Sequence, residues 1–316
     1  MVASFYLTVI ALTDTGRVYA WGYGYYGSCG LGHNQNVQKP TLVKALEEER
    51  IVMVSTGEGF TACVTEDGRL FTMGDSSYGQ HGDGNTSPAR HKPVQVTGVL
   101  ADKKVVRVGT GGYHIIAQCD DGDVYAWGYN YYKQLGLANA SSNSVLRPTK
   151  SEILSDHEVE WAQWACGYFH SMALDAQGNL YTWGTYNNST YPVCGHGDTG
   201  PTAVPKRVEF FDGQVVNNIS AGLYNSFATT NQGHAYAWGR NQHYACGLGD
   251  SGATTGVKLP FRCVGLEDER VLRIHGGNNH SACVCESGAV YTWGYGTSFQ
   301  LGLPNDTAHK KAPTRV

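Results

Sequence analysis

The sequence predicts an all-β fold, a β-propeller built of mostly four-stranded blades, and three observations predict it. An aromatic strand with a shared ending occurs six times: VYAWG at 18–22, LFTMG at 70–74, VYAWG at 124–128, LYTWG at 180–184, AYAWG at 235–239 and VYTWG at 290–294. The anchors of these copies, Trp21, Met73, Trp127, Trp183, Trp238 and Trp293, stand 52, 54, 56, 55 and 55 residues apart. A fixed period near 50 residues belongs to propellers, solenoids and arrays rather than to a single-copy catalytic fold. Each copy also reads as three or four short strands with no helical stretch between them, which is the pattern of a propeller blade.

The third copy shows the unit best. KKVVRVGTGGYH (103–114) alternates apolar residues over Val105, Val106 and Val108 and then turns through glycine, as a strand and its turn do. HIIAQC (114–119) is a second strand, and Asp120-Asp121-Gly122 supplies a hairpin, because glycine accepts the positive φ that such turns need. VYAWG is the third strand, a long loop follows, and RPTKSEI (147–153) is where a fourth, outer strand belongs. The hairpin glycine recurs as Gly16, Gly68, Gly178, Gly233 and Gly288. Pro40, Pro93, Pro148, Pro205, Pro260 and Pro313 recur in the outer strand, where an edge leaves a missing N–H unpunished. The large apolar anchor of each copy reads as a packing element between blades. Its burial contributes about 2–3 kcal/mol, and Met73 implies a more loosely packed second blade.

The continuous repeat argues for one domain over residues 1–316. Glycine is abundant at 41 residues, as many tight turns require, and charged residues, at 16%, fall well below the usual quarter. A net charge of −4 gives no broad attraction for nucleic acid or acidic membranes. The nine cysteines lack compact even spacing. They therefore read as thiols in a reducing, intracellular setting, cytoplasmic in preference to nuclear. Phe5–Leu12 is apolar but has no basic leading region, and LTVIALTDTGRVYAWG aligns with GFTACVTEDGRLFTMG, so it reads as a strand rather than a signal peptide. No run approaches the ~20 apolar residues of a membrane-spanning helix.

Several segments of the repeat resemble a known family. They are Trp127-Gly128 through Asn130 to Gln134-Leu135-Gly136, Trp238-Gly239 through Asn241 to Cys246-Gly247-Leu248-Gly249, and Trp293-Gly294 to Gln300-Leu301-Gly302. Together with the turns Gly167–Ser171 and Gly277–Ser281, these are similar to the repeats of the regulator of chromosome condensation (RCC1) superfamily. The resemblance covers essentially the whole chain. It implies a β-propeller, of seven blades in most members. Here six copies are visible. The first starts at its second strand with no Val-rich strand before it, and the last ends inside its outer strand. A ring closed by these six copies would bring Met1–Leu7 beside Pro313–Val316.

Three motifs invite a chemical reading. Gly22, Gly24 and Gly27 have dinucleotide-loop spacing, but no helix or acidic residue about 20 positions on follows them. His280, Cys283 and Cys285 crowd together, as do Cys194 and His196, yet zinc wants four convergent ligands and the other copies lack the thiols. The recurrent His114, His170 and His280 read as hydrogen-bonding backbone within their own blade. No grouped nucleophile, P-loop or carboxylate pair appears, so neither a catalytic residue nor a cofactor or metal ligand is assigned. The charged turns Lys44–Arg50 and Leu266–Arg270 read as solvated, and the fourth copy carries a short insertion near Tyr186–Pro192.

The loops after Trp-Gly are dense in aromatics: Tyr23, Tyr25 and Tyr26, then Tyr129, Tyr131 and Tyr132, then Arg240, His243 and Tyr244, then Tyr295 and Phe299. Equivalent loops of a propeller share a rim, and Tyr and Arg are enriched at interface hot spots. The expected function is a non-enzymatic interaction scaffold presenting this rim to a protein partner or a larger assembly. The resemblance implies the alternative, nucleotide exchange on a Ran-like small GTPase. None of that activity's residues can be placed here by motif.

Overall fold

The computed structural model describes residues 1–316 except 6, 87, 139–142, 186–190, 199, 201 and 252–254. The insertion of the fourth copy therefore lies largely outside the described residues. The chain divides into two compact units, Met1–Glu158 and Val159–Val316.

The first unit holds three antiparallel four-stranded blades, with strands in chain order. They are β1 (Val2–Phe5), β2 (Thr8–Leu12), β3 (Val18–Gly22) and β4 (Val37–Leu42); β5 (Ile51–Thr56), β6 (Phe60–Thr65), β7 (Leu70–Gly74) and β8 (Arg90–Gln95); and β9 (Val105–Thr110), β10 (His114–Cys119), β11 (Val124–Tyr129) and β12 (Ser144–Lys150). The second unit repeats the plan. Its blades are β13 (Trp161–Cys166), β14 (His170–Asp175), β15 (Leu180–Gly184) and β16 (Thr202–Arg207); β17 (Val216–Ala221), β18 (Asn225–Thr230), β19 (Ala235–Arg240) and β20 (Gly256–Arg262); and β21 (Val271–Gly276), β22 (His280–Cys285), β23 (Val290–Gly294) and β24 (Lys310–Arg315). The fold class is an all-β propeller of six four-stranded blades.

Both irregularities expected at the ends of the repeat are corrected. The first blade has its first strand, β1, whose Val2 and Ser4 pair with Ala11 and Val9. At four residues it is too short to show a hydrophobic alternation. The last outer strand, β24, runs six residues and pairs with β23 from Lys310 to Arg315.

The hairpin glycines adopt the conformation their turns demand, from φ +80 at Gly288 to +89 at Gly68 and Gly122. Each outer-strand proline interrupts the ladder. In the first blade the register passes from Ala20↔Thr41 to Gly22↔Val37, skipping Pro40, which has no N–H to give. Short 3-10 turns lead out of three blades and bury Leu46, Leu100 and Phe211. The turn at Lys44–Arg50 is thus not merely solvated, and Glu49 also receives both terminal nitrogens of Arg69.

The core of each unit lies between its successive blades, where Met73, Trp127, Trp238 and Trp293 sit. Met73, Trp127, Trp183, Trp238 and Trp293 are fully buried, whereas Trp21 is half-buried. Within each unit the indoles reach back to the previous blade's loop. Trp127 Nε1 donates to Gln80 O (2.9 Å), Trp238 Nε1 to Val193 O (2.8 Å) and Trp293 Nε1 to Ala245 O (2.9 Å). The residue paired with each anchor on the second strand aims at the same carbonyl. Ser226 Oγ donates to Val193 O (2.7 Å) and Ser281 Oγ to Ala245 O (2.8 Å). In the second blade Met73 has no N–H, and its partner Thr61 Oγ1 donates to Ser28 O (2.9 Å) instead. In the third, Ile115 has no hydroxyl and Trp127 donates alone. A buried carbonyl left unmet costs about 1–3 kcal/mol, and each of these four keeps at least one donor. The looser packing expected at Met73 is absent from its burial. What methionine lacks is the donor, not the contact.

The recurrent histidine does not bond backbone of its own blade at His170. Its Nε2 lies 3.0 Å from Ser226 Oγ on the next blade. Since that hydroxyl proton goes to Val193 O, the neutral imidazole donates from Nε2. Burial pushes the His170 pKa down to about 3. Between the unfolded value near 6.5 and about 3, the unfolded chain binds a proton that the folded chain refuses. Stability therefore falls as pH drops below 6.5, by up to about 1.4 kcal/mol per pH unit for this group. His81, pushed down to about 4 by burial, adds in the same direction. Thermal melts at pH 7 and pH 5 should show a smaller drop for His170→Asn, the residue found at the equivalent Asn225, than for the native chain. An equal drop would refute this.

Candidate functional site

Antiparallel pairing puts the turn between the first and second strands at the same end of a blade as the loop after the third. Backbone hydrogen bonds join the two. The N–H following each Trp-Gly or Met-Gly donates to the turn: Tyr23 to Leu7 O (2.9 Å), Asp75 to Gly59 O (2.8 Å), Tyr129 to Tyr113 O (2.9 Å), Arg240 to Tyr224 O (2.8 Å) and Tyr295 to Asn279 O (2.8 Å).

The polar residues of the repeated motif hold the loop to itself. Asn130 Oδ1 accepts from Leu135 N (3.2 Å) and Asn241 Oδ1 from Cys246 N (3.0 Å). In the second copy Asp75 takes that place, and its Oδ2 accepts from Gln80 Nε2 (3.1 Å). Gln80 and Gln134 each accept from the N–H two residues before them. All five side chains are buried. They are internal struts, which explains their recurrence without a ligand.

On this frame the aromatics of the first unit form two groups. Tyr23 stacks on Tyr25 at 6.1 Å and 22°, and Tyr25 meets Tyr26 edge-on at 5.1 Å and 87°. The third copy repeats the arrangement: Tyr129 and Tyr131 stack at 6.3 Å and 17°, and Tyr131 meets Tyr132 at 5.0 Å and 83°. Tyr25 and Tyr131 are each 58% exposed, the most open of these rings. Tyr129 is drawn inward by Tyr78 (4.6 Å) and Tyr113 (6.3 Å), and burial pushes its pKa up to about 12. Sequence reasoning missed Tyr78 and Tyr113, which come from the preceding loop and the adjoining turn.

In the second unit Arg240 spreads its guanidinium over Tyr191 (5.3 Å) and Tyr224 (5.4 Å), a cation–π arrangement. His243 packs against Tyr295 (4.9 Å) and His309 (5.5 Å), and Lys311 Nζ sits 5.6 Å over Tyr244. Burial, then the charges of His309 and Arg240, lower the His243 pKa. Tyr191, Tyr224 and His309 were not foreseen, since nothing in the spacing after Trp-Gly marks them.

Among the described residues, the sixth position after the anchor is left-handed in five copies: Gly27 and Gly79 in the first two, but Lys133, Tyr244 and Phe299 in the third, fifth and sixth, at φ +64, +65 and +60. A side chain there costs about 1–2 kcal/mol. Phe299 carries that strain while 61% exposed.

The other motifs resolve into structure. Gly22 ends β3 and Gly27 occupies the strained position just described, with turns and no helix after them. In β22 the pleat puts Cys283 and Cys285 on one face and His280 on the other. All nine cysteines are buried free thiols. Among the described residues no group of three or more His, Cys, Asp or Glu side chains could hold a metal ion. Among the described residues no helix is long and apolar enough to cross a membrane.

Comparison with known proteins follows the same lines. A family model described as the RCC1-like domain matches residues 2–264, and one for the regulator of chromosome condensation repeat matches 287–316. The ultraviolet-B receptor UVR8 of Arabidopsis thaliana is 30% identical over 93% of this chain and 64% of its own length. The human E3 ubiquitin-protein ligase HERC2 is 31% identical over 93% of this chain but 6% of its own length. The chain thus spans under two thirds of these curated relatives. Prp20p of Saccharomyces cerevisiae, described with binding properties to Gsp1p and histones, superimposes with a TM-score of 0.84 at 22% identity, over 100% of this chain and 76% of that one.

Proposed function

Because the chain belongs to the RCC1-like domain family, we propose that it is a non-enzymatic interaction scaffold whose aromatic loops dock a protein partner. The observation that carries this is the pairing of exposed tyrosines with a buried polar frame. Tyr25 and Tyr131 stand open, while the buried Thr8 and Ser28 donate to Tyr23 O in the first loop and the buried Asn130 and Gln134 accept N–H groups in the third. A preformed aromatic surface loses little freedom on binding. The relatives include a receptor and a ligase, which supports a role in recognition.

The test is an affinity capture from native extract with the full chain and with a Tyr25→Ala/Tyr131→Ala variant. Both side chains are exposed, so the melting temperature should hold while a specific partner is lost. Unchanged capture would overturn the docking role. Recovery of a small GTPase, with faster nucleotide release in the presence of the chain, would replace the scaffold with the exchange reading.

A further inference from the structure

The first unit holds a cavity of about 540 Å³, bounded by β4 and the turn after it on one side and by β8 on the other. That volume suits a small organic group. Its walls are of two kinds. Leu31, Leu42 and Ala45 are apolar, while Lys44, Lys92 and His33 bring nitrogen donors to the same space, and all three donors are exposed.

The backbone that carries these groups is tied down. Gly32 N donates to His91 O (2.7 Å), which fastens the first loop to β8, and a methyl group on Gly32 would be 3.2 Å from Lys92 Cε. The Lys92 stem therefore lies along the loop that bears Leu31 and His33. Lys44 opens the 3-10 turn that buries Leu46, and Val43 N just before it donates to Val18 O (2.9 Å). His33 Nδ1 accepts from Gln35 N (3.3 Å), so the neutral ring keeps its proton on Nε2 as a third donor.

Neither lysine belongs to an ion pair among the described residues. None of the residues lining the cavity is acidic. In a chain of net charge −4, two uncompensated cations in one recess reverse the local sign, and a recess lined by one sign of charge concentrates the other. Two positive charges match a phosphate monoester, at about −1.5 to −2, better than a single carboxylate. The apolar walls call for a hydrophobic body on the same ligand.

We propose that this cavity receives a phosphotyrosine side chain of a protein partner. The ring lies against Leu31, Leu42 and Ala45, and the phosphate sits between Lys44 and Lys92. The site adds a contact to the docking role of the tyrosine loops and does not depend on it.

Titration calorimetry of the full chain uses three peptides, Gly-Ser-X-Ser-Gly, where X is phosphotyrosine, tyrosine or phosphoserine. The phosphotyrosine peptide should bind about tenfold more tightly than either of the others, and added salt should erode its lead over tyrosine. Lys44→Met/Lys92→Met keeps the stems and removes the charges, so it should abolish that lead at an unchanged melting temperature. Lys44→Arg/Lys92→Arg should keep it, as should Tyr25→Ala/Tyr131→Ala, whatever the latter does to capture of the native partner. Equal binding of the phosphotyrosine and tyrosine peptides overturns the site, as does a lead that survives the methionine variant. Phosphoserine binding as tightly as phosphotyrosine also overturns it, since the apolar walls would then take no part.

Discussion

Replacing Trp238 with alanine is expected to lower the unfolding free energy by about 3–5 kcal/mol. The indole is fully buried between the second unit's first two blades, against Gly195, and its N–H meets Val193 O. Removing it opens a cavity beside Val193 and Gly195. The carbonyl itself is not orphaned, because Ser226 still donates to it. Most of the loss is therefore packing, and Trp238→Phe should cost much less than Trp238→Ala. Denaturant unfolding of the two variants checks the ranking. Near-equal losses would mean the hydrogen bond, not the ring volume, carries the joint.

The other half of that joint is as sensitive. Gly195→Ala should destabilise by about 2–4 kcal/mol, from a left-handed φ of +74 and a methyl 2.8 Å from Trp238 Nε1. The two contributions can be separated. In a Trp238→Ala background the steric part vanishes and only the backbone strain of about 1 kcal/mol remains. A double-mutant cycle should thus show a strong non-additive coupling between residues 195 and 238. Simple additivity would show that the glycine is there for its φ alone.

How far these features were legible from sequence depends on how local they are. Strand ends, hairpin glycines and outer-strand prolines each follow from a few adjacent residues, so repetition made them plain. β1 escaped because four residues are too few to show an alternation. The aromatic loops were visible as composition, yet their partners were not: Tyr113 reaches Tyr129 from a neighbouring turn, and Tyr224 reaches Arg240 from another. His170 finds Ser226 at a distance of 56 residues. Contacts between successive copies lie one whole period away, where no window of local pattern looks.

The joints between blades also say something about how such a chain can change over generations. Two side chains cover each carbonyl where both can donate, as at Ser226 with Trp238 and Ser281 with Trp293. Where one has been replaced, by Met73 or by Ile115, its partner still serves. Either member can therefore lose its donor without orphaning the carbonyl, provided the other is kept and the replacement fills the same volume. A joint that has spent this redundancy becomes intolerant at its remaining donor. Thr61 and Trp127 are the positions where the next substitution has no backup.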